Sequence, residues 1–129
     1  MTSCSIETEK INYGKESCHF CKMTIVDNQH AAEAVTSKGK VFKYDAIECM
    51  INDLKQKSDV ELGLLVVNDY SAPGALIDAK TATFLISKEI KSPMGAFLSA
   101  FEKQEEAQKV MNEHKGNLYN WEQIQKEIN

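Results

Sequence analysis

Apolar and polar positions alternate along this chain in short stretches, and two longer stretches repeat with helical spacing. His30 to Thr36 and Val41 to Tyr44 read as strands, joined by the turn Ser37-Lys38-Gly39-Lys40, where Gly39 supplies a positive φ. Met23 to Val26 reads as a short strand before them. Ile47, Met50, Ile51 and Leu54 then recur at i, i+3, i+4 and i+7, one apolar face of a helix ending near Lys57. Asp45 is placed to cap that helix, with Glu48 three residues on completing a capping-box pattern. Leu62 to Val67 reads as a central strand, and Asn68 to Gly74, rich in Asn, Asp, Ser, Pro and Gly, as a loop.

The second part of the chain repeats the order. Ala75 to Ile77 and Thr81 to Ser87 read as strands, Lys88 to Gly95 as a loop, and Phe97 to Phe101 as a strand or a helix start. Glu102 to His114 reads as a helix with Ala107, Val110, Met111 and His114 on one face, and Gly116 lies in its C-terminal cap region. Leu118-Tyr119 is a short strand and Trp121 to Ile128 a last helix. The pattern predicts an α+β fold of two ββαβ-like halves, roughly 18–68 and 75–119, in one compact domain. Residues 1–16 are polar and lack periodicity, so they read as a flexible tether before a folded domain of residues 17–129.

Length and charge narrow the function. A chain of 129 residues, 43% of them hydrophobic, buries enough surface to fold without a metal or disulfide staple. The formal net charge is −4, every basic residue is Lys, and no Arg is present, which argues against nucleic-acid binding. No Ser nucleophile elbow, phosphate loop, His-Glu-x-x-His or dinucleotide fingerprint occurs, so the chain reads as a non-enzyme. No apolar run approaches the length of a membrane span.

The chemistry concentrates in Cys18-His19-Phe20-Cys21-Lys22-Met23. Thiolate and thioether are soft donors that select Cu(I) over hard cations. Cys-x-x-Cys alone stays open between zinc, redox chemistry and copper, and Met23 tilts the choice towards copper. Structural zinc needs four ligands, and no second Cys-x-x-Cys exists; a zinc-stabilised interaction domain is the third reading. A thioredoxin-like site needs the motif at a helix N-terminus, whereas here a strand-like run follows, so a thiol-disulfide oxidoreductase using Cys18 and Cys21 is the alternative function. Cys49 lies about 100° round its helix from Met50, off the apolar stripe, and is either a ligand or a small core residue. Met94, between Pro93 and Gly95, and His114, closing a helical face, complete the candidate ligands, while Met50 reads as core and His30 as surface. Cys4, followed by a polar stretch to Ser17, looks like the first residue of a mature lipoprotein; a polar cytosolic N-terminus is the other reading.

Taken together, Cys18-His19-Phe20-Cys21-Lys22-Met23, Phe42-Lys43-Tyr44-Asp45 leading to Cys49-Met50, Pro93-Met94-Gly95 with Phe97 and Phe101, and His114-Lys115-Gly116 resemble the NosL family over residues 16–128. These are nitrous-oxide reductase accessory lipoproteins of the bacterial cell envelope. The resemblance implies a Cu(I) chaperone, periplasmic and lipid-anchored through Cys4, that delivers copper for the copper–sulfur centre of apo nitrous-oxide reductase alongside a membrane ABC-type assembly complex. It implies a fold of two ββαβ-type halves like the alkylmercury-lyase core, and maps ligand candidates onto Cys18, Cys21, Met23 and Met94, with His114 as a further one. Lys22 and Lys115 stand where family members often carry Gly.

Overall fold

The computed structural model describes residues 6–57, 61–91 and 95–128. The element order is β1 (Ala32–Thr36), β2 (Val41–Tyr44), α1 (Ile47–Gln56), β3 (Leu62–Asp69), β4 (Ala72–Asp78), β5 (Thr83–Ile86), β6 (Leu98–Phe101), α2 (Gln104–His114), β7 (Asn117–Tyr119) and α3 (Trp121–Glu127). Two antiparallel sheets result, ordered β2-β1-β3-β4 and β6-β5-β7. In each, the first strand of a ββαβ unit sits between its hairpin partner and the strand that follows the helix. Two ββαβ units are therefore present and the fold is α+β, but the second unit is β5-β6-α2-β7: the strand at Ala75 to Ile77, expected to open the second half, belongs to β4, which pairs with β3 as the fourth strand of the first sheet. Among the described residues no helix is long and apolar enough to cross a membrane.

The helical stripe of the first half does what its spacing predicts. Ile47, Met50 and Ile51 are buried against the first sheet with Ala32, Ala34, Phe42 and Tyr44. Three local readings are corrected. Met23 to Val26 is not a strand: only Thr24 forms an isolated bridge, to Ser17, because residues 18–23 close on themselves in a tight loop. Asp45 does not cap α1; the N-cap is Ala46, without a side-chain bond, and Asp45 turns towards the cysteines. Asn68 to Gly74 is mostly strand, with only Tyr70 and Ser71 between β3 and β4. Asn68 extends the ladder because its side-chain oxygen accepts the Ala31 N–H at 2.8 Å while its own N–H donates to the Ala31 carbonyl at 2.9 Å. Pro73 is tolerated because β4 is an edge strand.

The halves are joined by polar as well as apolar contacts. His30, expected at the surface, is buried: Nε2 hydrogen-bonds Ser99 Oγ at 2.9 Å and Nδ1 meets Asp27 Oδ2 at 3.0 Å. The Tyr70 N–H donates to the Ala100 carbonyl at 2.8 Å, and the Tyr70 ring packs on Phe101. Before β1, Ile11 is buried, the Glu9 N–H donates to Glu33 Oε2 at 2.7 Å, and Lys43 Nζ grips Glu16 at 2.8 Å.

Candidate metal centre

The loop of residues 17–25 makes the site. The Cys18 N–H donates to the Met23 carbonyl at 2.7 Å and the Lys22 N–H to the Cys18 carbonyl at 3.0 Å. This reversal needs a left-handed backbone at Lys22, whose φ is 68°, a conformation that favours glycine. Lys115, singled out with Lys22 from the sequence, has a positive φ too, 67°. In both places the glycine-like backbone is kept without the glycine. The loop docks on β2 through the His19 N–H, which donates to the Lys43 carbonyl at 2.8 Å, and through the His19 ring, centred 4.5 Å from that of Phe42.

This geometry turns Cys18 inward and leaves Cys21 partly exposed. Cys49, on the first turn of α1, comes up from below and is buried. The three sulfurs lie within 4.8 Å of one another, and they are the one such metal-competent grouping of His, Cys, Asp or Glu among the described residues. Thiolates bound to one ion at roughly 2.3 Å stand about this far apart or slightly closer. All three cysteines are free thiols.

Electrostatics lowers Cys18 and raises the other two. The Cys49 thiol donates to the Cys18 sulfur and, with the backbone N–H groups of Cys21, Asp45 and Phe20, pulls Cys18 down to about 5 against the opposing effect of burial. Cys49 is pushed far above the ordinary thiol range by that donation, by burial and by the Cys18 charge. Burial foremost raises Cys21, whose sulfur is partly compensated by the Met23 N–H. The N-terminus of α1 adds its positive dipole end. A cation entering this cradle meets one ionised sulfur at neutral pH and displaces protons from the other two.

A polar frame surrounds the sulfurs. Asp45 Oδ2 lies 3.9 Å from Cys21 Sγ, and its Oδ1 is buried without a hydrogen-bond partner among the described residues. Burial, then the negative charge of Cys18, raises the Asp45 carboxyl to about 6. The Tyr44 hydroxyl donates to Asp53 Oδ2 at 2.6 Å, and His19 Nε2 stands 3.9 Å from the same oxygen. Burial, against the opposing Asp53 carboxylate and helped by Lys57, Lys22 and Lys40, lowers His19.

The other expected ligands fare differently. The Met23 side chain is 59% exposed, although its backbone frames the loop. His114 is not in the thiol cluster; it pairs with Glu89 at 3.4 Å, and its carbonyl accepts the Ser87 hydroxyl at 3.0 Å. Met94 and Cys4 lie outside the described residues. Gly95 and Ala96, which follow Met94, line a cavity of about 280 Å³ together with Cys49, Phe20 and Glu48. Glu48 holds this segment by accepting the Ala96 N–H at 3.0 Å. Sequence reasoning missed Asp45 as a group beside the sulfurs; its place immediately before the Cys49 helix was the available signal.

This chain is similar to known proteins in sequence and fold. A copper-binding lipoprotein NosL from Stutzerimonas stutzeri is 28% identical over 120 residues, covering 87% of this chain and 63% of that protein. The chain thus spans less than two thirds of that relative's length. The crystal structure of the copper chaperone NosL from Shewanella denitrificans matches with a TM-score of 0.78 and 20% identity, over 92% of this chain and 95% of that one, so the fold is shared. The NosL family profile matches residues 10–129, and a chain matched over nearly its whole length, with this fold, belongs to the NosL family.

Proposed function

We propose that the protein is a Cu(I) chaperone in which Cys18, Cys21 and Cys49 hold one ion, and that it hands this ion on for assembly of the copper–sulfur centre of apo nitrous-oxide reductase. The observation that carries the reading is the cluster of three sulfurs within 4.8 Å of one another. Soft donors in that number favour Cu(I) over hard cations. Two relatives are named for copper, which supports the same reading. Delivery requires release as well as binding. Two ligands are buried and one, Cys21, is reachable, so an incoming donor atom can add at Cys21 and draw the ion off stepwise. Met23 is exposed beside Cys21, and in this proposal Met23 and Met94 are the thioethers that join such an exchange; His114 would have to act away from the thiols. In this proposal the protein sits on the periplasmic side of the envelope, anchored by lipid on Cys4, and works with a membrane ABC-type assembly complex.

An anaerobic titration of the reduced protein against a competing chromogenic Cu(I) chelator tests it. One equivalent is held against the chelator, and in Cys18→Ser or Cys49→Ser the chelator takes it. Failure to compete, with the fold intact and the thiols free, contradicts it. Incubating the loaded protein with apo nitrous-oxide reductase then tests delivery.

A second reading has its own support. A thiol ionised near pH 5 within reach of Cys21 is the arrangement of a thiol-disulfide oxidoreductase. Insulin reduction and a Cys18–Cys21 midpoint potential separate the two readings.

A further inference from the structure

The first sheet gathers three lysines at its turn end. The turn between β1 and β2 carries Lys38 and Lys40, and α1 finishes beside it at Lys57. These three lysines, with Thr36, Ser37, His19, Phe42 and Glu61, border an open concavity of about 670 Å³. Lys40 Nζ and Lys57 Nζ sit 5.3 and 5.0 Å from the centre of the Phe42 ring, so the charges are gathered over one apolar floor. Lys57 leans on Asp53 at 3.6 Å, but neither Lys38 nor Lys40 has a carboxylate partner among the described residues. In a protein of net charge −4, this concentration of cations is out of keeping with the average surface. On and beside α2, by contrast, exposed Glu102, Glu105, Glu106 and Glu113 are interspersed with exposed Lys103, Lys109 and Lys115.

Ile6, the first described residue, packs at the same end of the sheet. Ile6 Cδ1 lies against Gly63 of β3, in the space that a Cβ there would fill, and the Val35 carbonyl borders that space. Gly63 follows Leu62, the register partner of Thr36, and the Ser37 N–H donates to the Glu61 carbonyl at 3.0 Å just outside the ladder. Cys4 precedes Ile6 by two residues, and two residues of chain reach at most about 7 Å. A lipid on Cys4 therefore draws the turn end of the sheet, not α2, to the bilayer.

We propose that Lys38, Lys40 and Lys57 form a membrane-facing rim that binds anionic phospholipid headgroups and orients the copper site relative to the bilayer. The inference rests on the lipid-anchor reading above. Lysines within a Debye length of an anionic leaflet each raise partitioning by roughly fivefold. His19 borders the same concavity, so the thiol loop sits at the edge of this footprint, where a membrane-embedded partner would meet it.

Sedimentation of the unacylated chain with vesicles at low salt tests the rim without the anchor. Binding to phosphatidylglycerol vesicles and not to phosphatidylcholine vesicles is expected, falling about 100-fold in the K38Q/K40Q/K57Q variant. The K103Q/K109Q/K126Q variant, with the same change in net charge elsewhere, retains binding. No binding to anionic vesicles, equal binding to neutral ones, or equal loss in both triple variants overturns the rim; binding only to an acidic protein surface does so as well. Fractionation of cells carrying Cys4→Ser tests the anchor separately. Release from the membrane supports it, and full retention overturns it whatever the vesicles show.

Discussion

The two ββαβ halves share a strand order and differ in what is placed against their helices. In the first, α1 is buried along Ile47, Cys49, Met50 and Ile51, and the 17–25 loop folds over its N-terminal turn. In the second, α2 buries only Ala107, and its first turn, with Glu105 and Glu106, faces solvent. Both sheets have a hairpin beside a strand that returns from the helix, so the scaffold alone makes no metal site. The difference is a preceding loop that carries two cysteines to a helix start holding a third. Chemistry has been added to one copy of a repeated frame, and the other copy serves as support.

Removing the added part has the largest effect. In the proposed site Cys18→Ser or Cys49→Ser deletes a ligand rather than a group behind one, so the expected loss of Cu(I) affinity exceeds the roughly 10–100-fold that outer partners cost. His114→Ala, in the second half, leaves the affinity measured by chelator competition unchanged. A comparable loss with His114→Ala would break the contrast between the halves.

Damage to the support acts on stability instead. Phe84 on β5 is fully buried and packs on Trp121, and Phe84→Ala costs about 3–5 kcal/mol in denaturant unfolding. Under conditions where the variant remains folded, its copper affinity matches the parent. An equal loss of both would show that the halves are not separable in this way.

The pH dependence of the metal-free protein sharpens the account. The Cys18 thiol falls from an ordinary 9.0 to about 5 in the folded state, because the Cys49 thiol and three backbone N–H groups favour its charge. A lowered acid stabilises the fold fully above its unfolded value, and that contribution shrinks as pH falls from 9.0 towards 5. Cys49 and Cys21 are shifted upward and oppose it at the alkaline end. Ultraviolet thiolate absorbance of the reduced protein should show about one thiolate already formed at neutral pH, lost near pH 5 and absent in Cys18→Ser. No thiolate at neutral pH contradicts the cradle.

The smallest effects probe the left-handed lysines. Lys22→Gly and Lys115→Gly each relieve a backbone that disfavours side chains, and each stabilises by about 1 kcal/mol in thermal unfolding. The two changes, one in each half, should have similar effects on stability. If Lys22→Gly also strengthens copper binding, strain in the loop opposes the site.

Much of this was legible in the chain. The Ile47, Met50, Ile51 and Leu54 spacing fixes α1, and the strand-strand-helix-strand order recurs as two sheets. Cys18 and Cys21 stand out as a pair because their spacing is local. Cys49 was harder to place, since it is brought to them only by packing of the loop on α1. Asp45 was misread because local capping chemistry competes with a tertiary position beside Cys21, and the tertiary position wins. Met23 to Val26 has the apolar content of a strand, but its neighbours spend their hydrogen bonds inside the loop. His30 looked superficial because its partners, Asp27 and Ser99, come from both halves.

Sulfur coordination of bound copper tests the central claim most directly. X-ray absorption at the copper edge of the one-equivalent Cu(I) complex should give three sulfur neighbours, falling to two when Cys49 is changed to Ser. A sulfur shell that is the same with and without Cys49 would contradict the three-thiol site.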